Sequence, residues 1–503
     1  MCYPTIYPTG VTIYKPEKCF NSFTVFPANG EGVMLINMNG REVNLWKGVE
    51  GFPAKILPGG QLLAETKVRN PNFMTREYED ISQIDWDGHI VWQFNHNELV
   101  EDPGDEPRWM ARFKHDIQRE GSSVGYYSPD QMPKVEGGKS MLLVHRNTKN
   151  HKITRYPLID DGVIEIDWEG NILWSWCAAD HFDEFGFSEA AKNVLARDPN
   201  LRSSGINGMG DWLHVNAMCV LGPNKWYDAG DERFNPENVL MDSREASIIW
   251  IVSKKTGEIV WKVGPDWENP KHKDIGMIIG QHHAHMIPNG LPGAGNIMCF
   301  DNGGEAGYGM PSLVDPTGFE CNHRDYSRVV EFNPVTLEME WKYTPKEAGF
   351  LIPLNSSCFY SPFISSAQRL PNGNTLITEG GGGRLFEVTR DYEIVWEYIS
   401  PYFGHGEYKG CSHYNGYRYN YVYRSYRVPY EWCPQAGKPV ETPIAPVVVD
   451  DFRMPGAAPR GPVKVTMVDG VDYSVQSQDT DFCLPTDEEK AEILRKAQSN
   501  DED

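Results

Sequence analysis

One pattern is written six times along this chain: an apolar residue, a polar turn, then a β-prone segment ending in tryptophan. The copies are INMNGREVNLW ending at Trp46, IDWDGHIVW at Trp92, IDWEGNILW at Trp174, VSKKTGEIVW at Trp261, FNPVTLEMEW at Trp341 and VTRDYEIVW at Trp396. Each reads as strand, tight turn, strand. Asp-Gly, Glu-Gly and Thr-Gly supply the positive φ that such turns need, and β-branched and aromatic residues flank them. A second hairpin signature follows most of these tryptophans, as in AKILPGGQLLAE, HMIPNGLPGAGNIMCF and SAQRLPNGNTLITEG. Two hairpins per repeat make four strands, the content of one propeller blade. Six copies predict an all-β fold, a six-bladed β-propeller around a channel. A β-sandwich is the rival, but six like-ordered hairpin pairs are hard to fit in one.

The repeats assign residues 31–434 to the propeller, leaving 1–30 as an N-terminal arm and 435–503 as an extended C-terminal tail. Helical signals are few and short. FSEAAKNVLAR, with Ser188 as its N-cap, sits in a long insertion before GDWLHVN and reads either as a lid over one channel mouth or as packing. TDEEKAEILRKAQ opens with a capping box, Thr486 to Glu489, and reads as a short terminal helix on the surface or at a subunit contact, which leaves a homo-oligomer open.

Charge narrows the partners. Seventy acidic residues against 47 basic ones give a net charge of −23, and no long Lys/Arg run interrupts it. A polyanionic backbone is held by clustered Lys and Arg, so nucleic acid is not expected. No apolar run of about 18 residues occurs, so no membrane span is expected either. The opening MCYPTIYPTGVTIYKPEKCF lacks a basic start, an unbroken apolar run and a small-residue cleavage site. The ten cysteines are scattered singly, and Cys219 and Cys299 sit in apolar, strand-like runs. As written, the chain is expected in the cytoplasm.

Superposing the second hairpins brings three histidines to one repeat position. His214 and His282 each precede the hairpin glycine, Gly222 or Gly290, by eight residues, and His115 opens the corresponding strand of HDIQREG. Phe52 and Ser365 occupy the position in two other repeats. If that strand is the innermost of its blade, His115, His214 and His282 converge on the channel from three successive blades. Alternation divides the cluster HHAH: His282 faces the channel with Ala284, while His283 and His285 turn to the packing as a hydrogen-bonded pair or a metal-binding H-x-H. Arg244, in VLMDSREAS, ends the strand after that of His214 and offers a planar fork of donors suited to oxyanions. Arg146 is the matching position one blade earlier.

Two other stretches invite a function. Tyr417, Tyr419, Tyr421 and Tyr423 alternate, as an aromatic wall for phenols or as a packed sheet face. EGGGGRLFEV lacks the G-x-x-x-x-G-K-[ST] phosphate pattern and reads as a blade connection.

The motifs KHDIQ, GDWLHVNA, LMDSRE and GQHHAHMIPNG…NIMCFDNGG resemble those of the bacterial arylsulfate sulfotransferases, over about residues 30 to 401. The resemblance implies a six-bladed propeller that transfers a sulfuryl group from an aryl sulfate ester to a phenol, without a nucleotide sulfate donor, a cofactor or a metal. It also implies a nucleophilic histidine after a glutamine, two supporting histidines and an arginine. These fall on His282 after Gln281, on His115 and His214, and on Arg244. Neutral His282 would form a sulfohistidine, which gives ping-pong kinetics. His115 or His214 would exchange the phenol's proton, with either assignment open. Asn216 is placed as an extra donor, and Phe52 as a stacking face for the aryl ring or as filler. The substrates expected are small aromatic sulfate esters and phenols. Members of the family are commonly periplasmic. Two other readings remain: a lyase or hydrolase holding a divalent metal on the histidine rim, and a non-catalytic scaffold.

Overall fold

The computed structural model describes residues 8–69, 77–102, 104–199, 210–406 and 417–446. Six antiparallel sheets follow one another as the six repeats do. The second to fifth blades are each built from consecutive strands. They start at Lys55–Leu57, Phe113–Arg119, Val215–Val220 and His282–Met286, and end at Ile90–Phe94, Ile172–Cys177, Ile259–Val263 and Met339–Tyr343. The starting strands of the third to sixth blades lie against one another in turn, which makes them the innermost. The chain divides at Pro446, and Val447–Asp503, with the stretch read as a terminal helix, lies outside the described residues.

The ring closes twice. Tyr426–Val428, from the C-terminal end, is the innermost strand of the first blade and pairs with Phe23–Ala28. Gly10–Tyr14 adds a fifth, outer strand to the last blade by pairing with Ile394–Ile399. The segment read as an N-terminal arm therefore supplies two propeller strands. Ile444 then bridges back to Tyr14, each amide donating to the other's carbonyl at 2.9 Å, so the start of the tail lies along that edge.

The tryptophan of each repeat has a structural purpose that its spacing only hints at. Its indole N–H crosses to the next blade and donates to a backbone carbonyl in or beside that blade's turn. Trp46 reaches Asp85 O at 2.7 Å, Trp92 reaches Trp168 O at 2.8 Å, and Trp261 reaches Pro334 O at 2.8 Å. Trp341 reaches Arg390 O at 3.1 Å, and Trp396 returns to Met38 O in the first blade at 2.8 Å. In the third blade the clamp is Trp176, which donates to Gly257 O at 2.9 Å; the motif's own Trp174 is two residues early. All six clamps are buried. Each combines the burial of a large aromatic surface with a satisfied buried donor, so the sixfold repeat is also a ring of inter-blade fasteners.

The insertion helix runs Glu189–Arg197, with the Ser188 side chain accepting from Ala191 N as an N-cap. Its Ala191, Val194 and Leu195 are buried with Phe182, Phe185, Phe187 and Trp212 in one core cluster. The described part of the insertion, up to residue 199, packs against the third and fourth blades.

Candidate active site on the inner rim

The three rim histidines stand where the innermost strands deviate from regular pairing. Register shifts fall at Phe113/Ile117, Val215/Ala217 and His282/His285. His115 and His214 take φ of 54° and 49°, and Ile364 and Ser365 at the sixth blade's rim take 53° and 89°. A left-handed backbone costs an L-residue roughly 1–2 kcal/mol. Its recurrence at one repeat position shows that the rim is bent on purpose, re-aiming side chains across the axis.

His115 and His214 meet edge to face, their ring centroids 4.8 Å apart. Phe52 and Tyr423 lie 6.1 and 5.8 Å from His115. Phe52 stacks on Tyr423 with centroids 3.8 Å apart, so one of its faces is already taken by the protein. Tyr423 is the rim residue of the first blade, and Tyr419 stacks instead on Tyr421 at 4.6 Å. The alternating tyrosines thus do not form one wall. Tyr417 begins a described strand, Tyr417–Tyr419.

The tautomer of His282 follows from its partners. Asn302 Nδ2 donates to the carbonyls of Ser361 and Ile364, both at 2.8 Å, which turns Asn302 Oδ1 toward His282 Nδ1, also at 2.8 Å. Nδ1 therefore carries the proton, and the lone pair of Nε2 accepts the Ile364 N–H at 3.1 Å. Burial first, and then the Arg244 charge, holds the His282 pKa well below its usual value, so the ring is neutral. Burial, with neighbouring His214 and Lys114, does the same for His115, whose Nδ1 is buried without a partner.

His214 is half-buried and its Nδ1 lies 2.7 Å from Asp211 Oδ2. A carboxylate only accepts, so Nδ1 is protonated and Nε2 is the nitrogen left to face the rim. Arg244 is buried. One arm of its guanidinium pairs with Glu245, and Nη2 has no partner. Its side chain runs beside Gly280, two residues before His282. The free oxygen of Glu245 and the hydroxyl of Tyr308 are likewise buried and unpartnered. Arg146, by contrast, is exposed and donates to Cys177 Sγ at 2.8 Å, outside the site.

Asn216 donates one amide N–H to Gln281 O at 2.8 Å, and its Oδ1 is buried without a partner. One expectation needs correction: the axis below the rim is filled rather than open. Arg424 reaches Asp116 Oδ2 at 2.9 Å and donates to Asn216 O, while Lys55 Nζ sits 2.6 Å from Asp116 Oδ1. The C-terminal strand brings Arg424 and Tyr423 there, and their positions in the repeat were invisible because that strand precedes no hairpin of its own.

His283 and His285 form the hydrogen-bonded pair. Their Nδ1 atoms donate to Ala367 O and His283 O at 3.0 and 2.8 Å, and Tyr126 donates to His285 Nε2 at 3.0 Å. Among the described residues the one grouping of metal-ligand type is His145, Asp161 and Asp211, with ligand atoms within 4.8 Å of one another. Lys114 Nζ lies 2.6 Å from Asp161 and provides a cation there. His282 is not part of that group, since both its ring nitrogens are engaged as described.

Comparison with known proteins bears on the same segments. No curated protein matches the chain. Among solved structures, a protein of unknown function from Bacteroides caccae aligns at a TM-score of 0.41 and 11% identity, over 80% of this chain and 98% of that one. The virginiamycin B lyase of Staphylococcus aureus aligns at 0.33 and 11%, over 81% and 92%. The Cps50 (Swd1) β-propeller domain of Myceliophteria thermophila aligns at 0.34 and 8%, over 80% and 91%. The arylsulfotransferase (ASST) family model matches residues 130–399. That span is more than half of the chain; it contains His214, Arg244 and His282, and leaves Phe52 and His115 on its N-terminal side. The chain belongs to the arylsulfotransferase family.

Proposed function

We propose that the chain transfers a sulfuryl group from an aryl sulfate ester to a phenol, independently of a nucleotide sulfate donor, through a sulfohistidine on His282. The observation that carries this reading is the state of that ring. It is neutral, its proton is fixed on Nδ1 by Asn302, and its Nε2 lone pair lies at the rim in the field of Arg244. An imidazole so held is a nucleophile without needing a base to deprotonate it.

In the first half-reaction Nε2 attacks sulfur, the S–O bond to the aryl group breaks, and a phenolate leaves. The Ile364 N–H must release Nε2 as the donor arrives. Sulfonation at Nε2 with Nδ1–H retained makes the ring cationic, and Asn302 Oδ1 accepts from the more acidic N–H that results. The unpartnered Nη2 of Arg244 donates to the sulfuryl oxygens, and His115, neutral and beside His214, offers a further polar contact. Donors aimed at such charge contribute about 10²- to 10³-fold each.

His214 exchanges the phenol's proton. Its Nδ1–H is anchored on Asp211, which holds the ring in place and leaves Nε2 to give a proton to the departing phenolate. In the second half-reaction the neutral ring takes the proton of the acceptor phenol, whose oxygen attacks sulfur and expels His282. Two products leave in turn, so the kinetics are ping-pong. Small aromatic sulfate esters and phenols are the substrates this reading implies.

The test is release of nitrophenol from p-nitrophenyl sulfate at increasing concentrations of phenol. Parallel lines in double-reciprocal plots support the reading. No nitrophenol release with any phenol acceptor overturns it.

A further inference from the structure

Tyr423 and Arg424 stand just before Tyr426–Val428, the strand that completes the first blade, and both are buried. Their contacts fall immediately beside two of the rim histidines. The Tyr423 hydroxyl lies 3.4 Å from His115 O and 3.4 Å from Asn216 O. Arg424 Nη1 donates to Asp116 Oδ2 at 2.9 Å, and Nη2 donates to Asn216 O. Asp116 follows His115 in the chain, and Asn216 lies two residues past His214.

These are the positions that the sheets leave unheld. Strand pairing skips from Phe113 to Ile117 in the third blade and from Val215 to Ala217 in the fourth. His115, Asp116 and Asn216 fall in the gaps, so the ladder that fixes the rest of each strand does not fix them. A buried carbonyl released from a ladder needs a donor from elsewhere. The left-handed backbones of His115 and His214 likewise persist only where their surroundings hold them.

An arginine is suited to that task, because its planar fork serves two acceptors at a fixed separation. Here the acceptors belong to different blades, a carboxylate of the third and a carbonyl of the fourth. The carboxylate is itself a fixed anchor. Lys55 Nζ holds Asp116 Oδ1 at 2.6 Å, and Met218 N lies 3.3 Å from Oδ2.

We infer that Arg424 is a positioning residue for the transfer reaction. By bridging Asp116 and Asn216 it sets the placement of His115 relative to His214, whose ring centroids are 4.8 Å apart. The inference rests on the sulfuryl-transfer reading of the rim. Arg427 supplies an internal contrast. It is equally buried and three residues further on, but its guanidinium lies 4.2 Å from the Trp396 ring and 3.3 Å from Glu387, between the first and last blades.

The test compares kcat and KM for phenyl sulfate and p-nitrophenyl sulfate in the wild type, Arg424→Gln, Arg424→Lys and Arg427→Gln, with thermal unfolding followed in parallel. Misplacing the proton-transferring His214 costs most where the leaving group needs its proton. Arg424→Gln is therefore expected to lose about 10²-fold in kcat with phenyl sulfate and about 10-fold with p-nitrophenyl sulfate, with KM within about 3-fold of the wild type. Arg424→Lys keeps the charge on Asp116 but cannot also span to Asn216 O. It is expected to show the same inequality at smaller size, and it decides the matter if Arg424→Gln does not fold. Arg427→Gln is expected to lower Tm while leaving the ratio of the two kcat values unchanged. A wild-type ratio in the Arg424 variants, or the same change in Arg427→Gln, overturns the inference and leaves the sulfuryl-transfer reading intact. No nitrophenol release by the wild type with any phenol acceptor overturns both.

Discussion

His282 Nδ1 and Asn302 Oδ1 are 2.8 Å apart, and the Asn302 amide cannot rotate away because its nitrogen is held by the carbonyls of Ser361 and Ile364. The side chain is thus a rigid acceptor that keeps the proton on the nitrogen remote from sulfur. Asn302→Ala is expected to lower kcat by roughly 10- to 100-fold, about 1.4 to 2.7 kcal/mol of transition-state stabilisation, with KM near the wild-type value. Steady-state kinetics with p-nitrophenyl sulfate check this, with the unfolding midpoint followed in parallel. A KM effect alone would assign Asn302 to binding instead.

The Asp211–His214 contact separates two kinds of substrate. A good leaving group such as p-nitrophenolate departs with little help, whereas an unsubstituted phenolate needs its proton in the transition state. Asp211→Asn is therefore expected to cost less than about 10-fold in kcat with p-nitrophenyl sulfate but about 10²-fold with phenyl sulfate. Equal losses with both donors would remove His214 from proton transfer.

Clamp geometry makes a stability prediction that the motif alone would have misplaced. Trp176→Phe leaves Gly257 O without its donor in a buried setting, and is expected to cost about 1–3 kcal/mol. Trp174, half-buried and without that bond, is expected to lose under about 1 kcal/mol as Trp174→Phe. Urea unfolding of the two variants tests the order.

Much of this protein was legible before its structure. A strict alternation of turn residues and β-branched residues can satisfy its backbone only as hairpins, and six like hairpin pairs close only as a ring. Repeat symmetry then aligned His115, His214 and His282 at one position of three successive blades. What stayed hidden depends on contacts between segments far apart in the chain. Tyr423 and Arg424 enter the axis on a strand whose blade begins some four hundred residues earlier, so no local period marks them. Asp211 and Asn302 orient histidines through single hydrogen bonds from loops, where no repeat position exists to compare. Trp176 was passed over because the motif ends at Trp174, and the clamp of this blade lies two residues further along the same face of the strand.

The buried pair His283 and His285 links folding to pH. Burial holds His285 at about 4, below the ordinary value of 6.5, so the native protein resists taking up a proton that the unfolded chain accepts. Its contribution is intact above pH 6.5 and is lost as pH falls from 6.5 toward 4, by about 3 kcal/mol in all. Asp160 and Asp242, which burial raises to about 8, act with the opposite sign, but they titrate alike in any His285 variant. The stability of the wild type relative to His285→Gln is therefore expected to fall by about 1.4 kcal/mol per pH unit over that window in urea unfolding. A constant difference between pH 7.5 and 4.5 would contradict it.

The most direct test of the account is the intact mass of the protein after incubation with p-nitrophenyl sulfate in the absence of a phenol. The wild-type chain is expected to gain the mass of one SO3 group on His282 and to lose it when phenol is added, and His282→Ala is expected to gain nothing. Nitrophenol release by His282→Ala at the wild-type rate, or an adduct that forms without His282, would contradict it.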